Sequence, residues 1–315
     1  MRAITMRRFG GPEVLELTEV PDPQARAGHL LVDVTRAGVN YADVHVRGNT
    51  YLAPISLPYI PGNEIVGITA DGRRIAALTI GGGYAEKAVV HRRVAWDIPD
   101  DVTDDQAAAL ALQGNTAWHL LFTAAQLTSG QSVVIPAAAG GVGCIAVQLA
   151  KQIGAKVIAL ASTEAKRRLA MDLGADAALD SSTTVGLTER ILDAAGGPVH
   201  AALEMTGGPT LQATLAAVAP RGRLAVYGYA SGESGTVPTQ LLMQKSISVS
   251  GFWLPHLYSD RNALPMSMKA LTAAVRSGDL RPVIGGAYPL AQAAQAHRDL
   301  AARTQTGKLV LTTAP

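Results

Sequence analysis

The feature that most constrains this chain is an alternation, over residues 133–252, of short apolar runs with longer helix-forming stretches. The runs are 133–135 (VVI), 157–161 (VIALA), 201–205 (AALEM), 224–227 (LAVY) and 247–252 (ISVSGF). Segments such as CIAVQLAKQIG and EAKRRLAMDLG lie between them. Short buried strands that alternate with helices call for βαβ crossovers and a parallel sheet. The expected fold class is therefore α/β, with a doubly wound parallel sheet in the middle of the chain.

The flanks read differently. Up to about residue 110 the chain is strand-like: HLLVDVTRAGVN and AEKAVVHRRVAWDIP carry short apolar or period-two runs broken by Gly, Pro and Asn. A loop-rich segment, HVRGNTYLAPISLPYIPGNEIVG, lies between them. From residue 104, DDQAAALALQGNTAWHLLFTAAQL reads as helix, with Thr103 or Asp104 as its cap. Beyond residue 252 come two helical stretches, 266–277 and 291–302, and a closing strand, 308–312. The pattern predicts a nucleotide-type domain over 111–252, inserted into a second domain formed by 1–110 and 253–315.

The first run of the alternation leads into IPAAAGGVGCIA, residues 135–146. A turn that receives a pyrophosphate must bend tightly, bring backbone close to the phosphates, and let the helix pack near the sheet. Set against G-x-G-x-x-G, this turn supplies Ala138, Gly140 and Gly143, so its first glycine is replaced. Ala139, Gly140, Gly141, Val142 and Gly143 are the candidate phosphate-binding residues, because a helix N-terminus attracts anions through its free N–H groups and its dipole. An NAD site usually has Asp or Glu at the tip of the next strand, to accept from the ribose hydroxyls. Here the tip is Ala161-Ser162, followed by Thr163, Lys166 and Arg167. Hydroxyls and cations suit a 2′-phosphate, which a carboxylate would repel, so the reading is NADPH. The two cations also fit the solvated face of a helix.

Composition excludes several classes. The chain has 315 residues, 48% hydrophobic and 17% charged, which is a globular balance without a disordered tail. A net charge of +2, with no basic run, gives no case for nucleic acid or an anionic membrane. No apolar stretch is long enough to span a bilayer. The first residues, MRAITMRRFGGPE, turn polar too early for a secretory signal, and a cytoplasmic location is expected. Cys144 is the single cysteine, so neither an internal disulfide nor a cysteine-built zinc site can form.

With these residues in view, the chain resembles the zinc-independent quinone oxidoreductase family of the medium-chain dehydrogenase/reductase superfamily. AGVNYADVHVRGNTY followed by LPYIPGNEIVG looks like the family's N-terminal signature, and LALQGNTAW like the segment before its cofactor domain. AAAGGVGCIAVQLAKQIGAKVI is very similar to its phosphate loop; MTGG, GRLAVYG and GKLVL recur in their expected places. The resemblance implies a GroES-like, partly open β-barrel substrate domain, a six-stranded Rossmann domain and a homodimer formed near residues 247–252. Zinc-dependent relatives carry cysteine where this chain has Asn40 and histidine where it has Asn63. Asn is a poor zinc ligand, and His45 with Glu64 would be too few.

Hydride transfer from NADPH to a quinone or an α,β-unsaturated carbonyl is the activity this implies. It needs only hydrogen-bond donors at the oxygen and a proton. Asn40 matches an amide kept near nicotinamide and substrate. Tyr51 matches a tyrosine assigned as proton donor in enoyl reductases, and His45 stands where tyrosine is common and could donate to the substrate. Asp43, Arg47 and Glu64 belong to the signature and are expected to brace the loop by ion pairs and hydrogen bonds. Thr116 is expected to approach the nicotinamide carboxamide, or else to cap a helix. Thr206, Gly228 and Tyr229 follow strands on the ligand-binding edge of the sheet. Phe252, Trp253 and Lys308 match segments that line the family's cofactor cleft. Two departures bear on the substrate. The stretch DGRRIAALTIGGG is short for the family, and Pro136 replaces a common histidine. Alternative readings are an enoyl-thioester reductase and a non-catalytic NADPH-binding protein of regulatory or crystallin-like type.

Overall fold

The computed structural model describes residues 1–313; the last two residues of the expected C-terminal segment lie outside the described residues. The chain forms two compact units, one of Met1–Asn115 with Leu257–Pro315 and one of Thr116–His256.

The first unit begins with a small antiparallel pair, β1 (Arg2–Thr5) and β2 (Glu16–Glu19). Then come β3 (His29–Val39), helix α1 (Tyr41–Arg47), β4 (Glu64–Thr69), β5 (Arg74–Leu78), β6 (Lys87–His91), β7 (Ala95–Asp97) and helix α2 (Asp104–Ala109). Thr103 caps α2 reciprocally with Gln106: the Gln106 N–H donates to Thr103 Oγ1 at 3.2 Å, and the Thr103 N–H to Gln106 Oε1 at 2.9 Å. A π-helical turn, Leu110–Gly114, follows.

The second unit opens on α3 (Asn115–His119), whose first residue still belongs to the first unit. It continues with β8 (Ser132–Ile135), α4 (Gly141–Gln152), β9 (Lys156–Ala161), α5 (Glu164–Asp172), β10 (Ala177–Asp180) and α6 (Leu187–Ala195). After these come β11 (Val199–Glu204), α7 (Gly208–Ala217), β12 (Val218–Val226), α8 (Thr239–Lys245) and β13 (Ser248–Gly251). The chain then returns to the first unit as α9 (Ala263–Ser277), β14 (Ile284–Pro289), α10 (Ala293–Ala301) and β15 (Lys308–Thr312).

In the second unit the strands run in the order β10-β9-β8-β11-β12-β13, with every neighbouring pair parallel. This is the Rossmann order, which reverses direction between β8 and β11. β8 is buried along its whole length, as a strand covered by helices on both faces must be. Val134, Ile158, Leu160, Ile191, Leu215 and Leu224 join in its core. The first unit holds a seven-stranded sheet, β14-β15-β3-β4-β5-β7 with β6 on β3, antiparallel except for the β14–β15 pair. Its core gathers Ile4, Met6, Val32, Val34, Ile65, Ile75, Tyr84 and Leu309.

Candidate active site

β3 ends at Val39, and the next residue, Asn40, is the N-cap of α1. Asn40 is buried, and every polar atom of its amide is engaged. Nδ2 donates to Glu64 Oε1 at 2.7 Å and to the Gly38 carbonyl at 3.5 Å. Oδ1 accepts from Lys308 Nζ at 2.9 Å and from Gln113 Nε2 at 3.1 Å. Lys308 and Glu64, both fully buried, form an ion pair; the lysine also donates to the Val39 carbonyl at 3.4 Å, and Glu64 Oε2 accepts the Leu112 N–H at 2.7 Å. A charge of each sign in a dry interior survives only when paired and hydrogen-bonded. These charges fix how the Asn40 amide faces, and Asn40 in turn orients Gln113. Lys308, expected along the cofactor, thus turns into this network at the start of β15. Gln113 was not among the expected site residues, although it lies in the segment LALQGNTAW; the fold sets it in the π-helical turn Leu110–Gly114, and such turns recur at functional sites.

Behind Asn40 lies a second buried chain. Asp43 Oδ2 accepts the Asn40 N–H at 2.9 Å and the Tyr84 hydroxyl at 3.0 Å; Oδ1 accepts Asn63 Nδ2 at 2.9 Å. Tyr84 lies 3.1 Å from His297 Nε2. Burial is the largest influence on Asp43 and pushes its carboxyl up to about 6, against the pull of the Asn40 N–H, Tyr84 and Lys308. Burial likewise pushes His297 down to about 3. Arg47, the last residue of α1, donates to the Gly10 carbonyl at 2.8 Å and so ties the helix to the connection between β1 and β2.

His45 and Tyr51 lie farther out on the same segment. His45 sits on α1, half-buried, with Nδ1 2.9 Å from Thr50 Oγ1 and its ring edge-on to Tyr41 at 5.4 Å. Partial burial lowers its pKa. Tyr51 is half-buried and packs on the core of the first unit.

In the second unit the predicted cofactor residues gather on one edge, because parallel strands end on the same side. β8 leads into a turn in which Ala137 adopts φ +49, a conformation rare outside glycine. The bend therefore falls at Ala137, which explains how Ala138 can stand where glycine was expected. Gly140 is the N-cap of α4 and offers no side-chain cap hydrogen bond. A Cβ on Gly143 would lie 2.3 Å from the Ala137 carbonyl oxygen, so only glycine lets α4 sit this close to the turn. Ala139 is buried, while Gly140, Gly141 and Val142 are half-exposed.

At the end of β9, Ser162 is exposed, and Thr163 caps α5 by accepting the Lys166 N–H at 3.3 Å. Arg167 folds back over this tip: its Nη1 lies 3.4 Å from the Ala161 carbonyl and 3.3 Å from Asp180 Oδ1 at the end of β10. At the end of β11, the buried Glu204 carboxylate accepts the N–H groups of Thr206 and Gly207 and the Thr214 hydroxyl. Burial raises its pKa. The loop after β12 pairs with this turn, Ala230 N–H on the Met205 carbonyl and Ser231 N–H on the Thr206 carbonyl, both at 2.8 Å. Thr206, Gly228 and Tyr229 are thereby brought together. Beyond β13, Phe252 stacks on His119 at 6.4 Å, and Trp253 meets His256 edge-on at 5.0 Å. Thr116 is buried inside α3, one residue past its start, rather than at a cap.

Comparison with known proteins decides the family. Residues 26–81 match the family described as alcohol dehydrogenase GroES-like domain, and residues 141–272 the one described as zinc-binding dehydrogenase. A quinone oxidoreductase of Pseudomonas aeruginosa is 33% identical over 98% of this chain and 99% of its own length. The chain belongs to the quinone oxidoreductase family of the medium-chain dehydrogenases/reductases. Among solved structures, a mycobacterial protein in complex with NADPH matches with a TM-score of 0.94 at 34% identity, over 99% of this chain and 100% of the other. The quinone oxidoreductase of Thermus thermophilus, solved alone and with NADPH, matches with a TM-score of 0.90 at 36% identity, over 99% and 100%. The first unit is thus a GroES-like domain and the second a Rossmann domain.

One matched family carries zinc in its description, and the residues of this quinone oxidoreductase relative do not fit that ion. Glu64 is taken up by the Asn40 amide, the Lys308 ammonium and the Leu112 N–H, and Asn63 bonds to Asp43. Among the described residues, no group of three His, Cys, Asp or Glu could hold a metal ion.

Proposed function

We propose that this chain is an NADPH-dependent reductase of quinones or α,β-unsaturated carbonyls that works without zinc. The observation that carries the reading is the start of α4, capped by a glycine with no side chain to occupy it, at the switch point of the Rossmann sheet, in a chain related over its full length to quinone oxidoreductases. Ala139, Gly140, Gly141, Val142 and Gly143 receive the pyrophosphate on backbone N–H groups. Ser162, Thr163, Lys166 and Arg167 take the 2′-phosphate, with Arg167 held at the β9 tip by Asp180. Thr206, Gly228, Tyr229, Phe252, Trp253 and Thr116 line the rest of the dinucleotide. Bound NADPH supplies a hydride to an electron-poor acceptor.

The acceptor's oxygen gains negative charge as the hydride arrives, and donors aimed at it lower the barrier. Tyr51 and His45 carry the donor groups for that task, and either can pass the proton that must follow. Asn40, with its amide fully engaged, is the rigid anchor of the segment that bears them, and Lys308 and Glu64 each hold one end of that amide. β13 ends the Rossmann sheet, so a second copy pairing along residues 247–252 gives the homodimer; its place in the cell is the cytoplasm. The test is NADPH oxidation followed with a panel of quinones, enones and enoyl thioesters. Turnover with quinones or enones is expected. Turnover confined to enoyl thioesters, or NADPH binding with no turnover of any acceptor, overturns the reading.

A further inference from the structure

Tyr84 carries one proton and stands between two partners, Asp43 Oδ2 at 3.0 Å and His297 Nε2 at 3.1 Å. It can donate to only one of them. An ionised Asp43 has no proton to give, and it already gathers the Asn40 N–H and Asn63 Nδ2. The tyrosine proton therefore belongs to Asp43, and the contact on the other side must be made by a proton on His297 Nε2. The surroundings of the histidine agree. It is fully buried in α10, and its Nδ1 has no hydrogen-bond partner. With the proton on Nε2, that orphan atom is a bare lone pair; with the proton on Nδ1, it would be a buried N–H without an acceptor, the costlier of the two. Arg47 is the charged group whose field reaches His297, and it too opposes a second proton on the ring.

We infer that Tyr84 and His297 are positioning residues for α1: His297, as its Nε2–H tautomer, donates to Tyr84, which commits the tyrosine proton to Asp43, which holds the Asn40 N–H and so the start of the helix that bears His45. The geometry spans four elements of one unit, since Asp43 lies on α1, Tyr84 just ahead of β6, Asn63 just ahead of β4 and His297 on α10. The functional half of the inference rests on the proposed role of the Asn40–Tyr51 segment; the tautomer does not.

The two halves are therefore tested separately. Long-range ¹H–¹⁵N spectra of the histidine rings, with His297 assigned from its loss in His297→Gln, are expected to show a protonated Nε2 and an unprotonated Nδ1 above the Asp43 titration. A proton on Nδ1, or a doubly protonated ring, overturns the inference, whether or not the protein turns over any acceptor. In the steady state, Tyr84→Phe keeps the ring packed but drops the relay. It is expected to lose about tenfold in kcat with KM for NADPH within about twofold. His297→Gln, whose amide can still donate to Tyr84, is expected to retain kcat within about twofold, while His297→Leu falls with Tyr84→Phe. Wild-type kcat in Tyr84→Phe overturns the positioning role. If neither wild type nor variants reduce a quinone or enone, the proposed function fails while the tautomer result stands by itself.

Discussion

At the scale of single residues, the Asn40 amide stands beside a buried carboxylate, Glu64, and a buried ammonium, Lys308, neutralises it. The pair is strong only as a pair. Removing one partner leaves an uncompensated charge in a dry interior, which costs about 3–5 kcal/mol; removing both restores neutrality. Lys308→Met is therefore expected to lower the urea midpoint sharply, while Glu64→Gln combined with Lys308→Met recovers much of the loss. A double variant as unstable as the sum of the single ones would contradict the pairing. Of this network, the sequence made Asn40, Glu64 and Lys308 legible one by one through motif positions. It did not make their contact legible, because residues 24 and 244 positions apart meet only once β3, β4 and β15 are laid side by side. Gln113 stayed hidden because a glutamine in an Ala/Leu-rich helix carries no signal of its own.

At the scale of elements, legibility followed burial. β8, β9 and β11 are apolar and covered on both faces, so their runs stood out; β10 (AALD), only partly buried and without β-branched residues, did not. β14 (IGGAYP) was hidden by its glycines and proline. α1 is seven residues long and was not expected, its last three residues falling in the loop-rich segment, since a helix that short owes its existence to tertiary bonds such as those Asp43 accepts from Asn63 and Tyr84. The long helical stretch from residue 104 proved to be two short α-helices interrupted by π-helical turns at Leu110–Gly114 and Leu120–Ala124, a distinction that periodicity cannot make. The glycine turn shows the opposite case. Its tight bend and close helix packing were readable despite Ala138, because the constraint that matters physically is the missing Cβ at Gly143.

At the scale of the whole molecule, the buried Asp43–Tyr84–His297 chain ties stability to pH in two opposing ways. Asp43 is raised from 3.8 to about 6, so between those values the folded state holds the proton more tightly and stability falls as pH rises. His297 is lowered from 6.5 to about 3, so over that range the unfolded state holds the proton more tightly and stability rises with pH. Each slope is about 1.4 kcal/mol per pH unit, and where they overlap they cancel. Between pH 3.8 and about 6 these two groups together thus contribute little net slope to the urea midpoints, and each variant is compared with the wild type over that window. Asp43→Asn should make them climb with pH, and His297→Gln should make them fall. Identical profiles for the two variants would show that the groups do not titrate as their burial demands.

In the proposed site a dinucleotide rests its phosphates on the start of α4 and its 2′-phosphate at the tip of β9. A calorimetric titration of the protein with NADPH and with NADH tests it most directly. NADPH is expected to bind at least about tenfold more tightly, with the gap closing in Lys166→Ala. Equal affinity for the two cofactors, or no binding of either, would contradict the account.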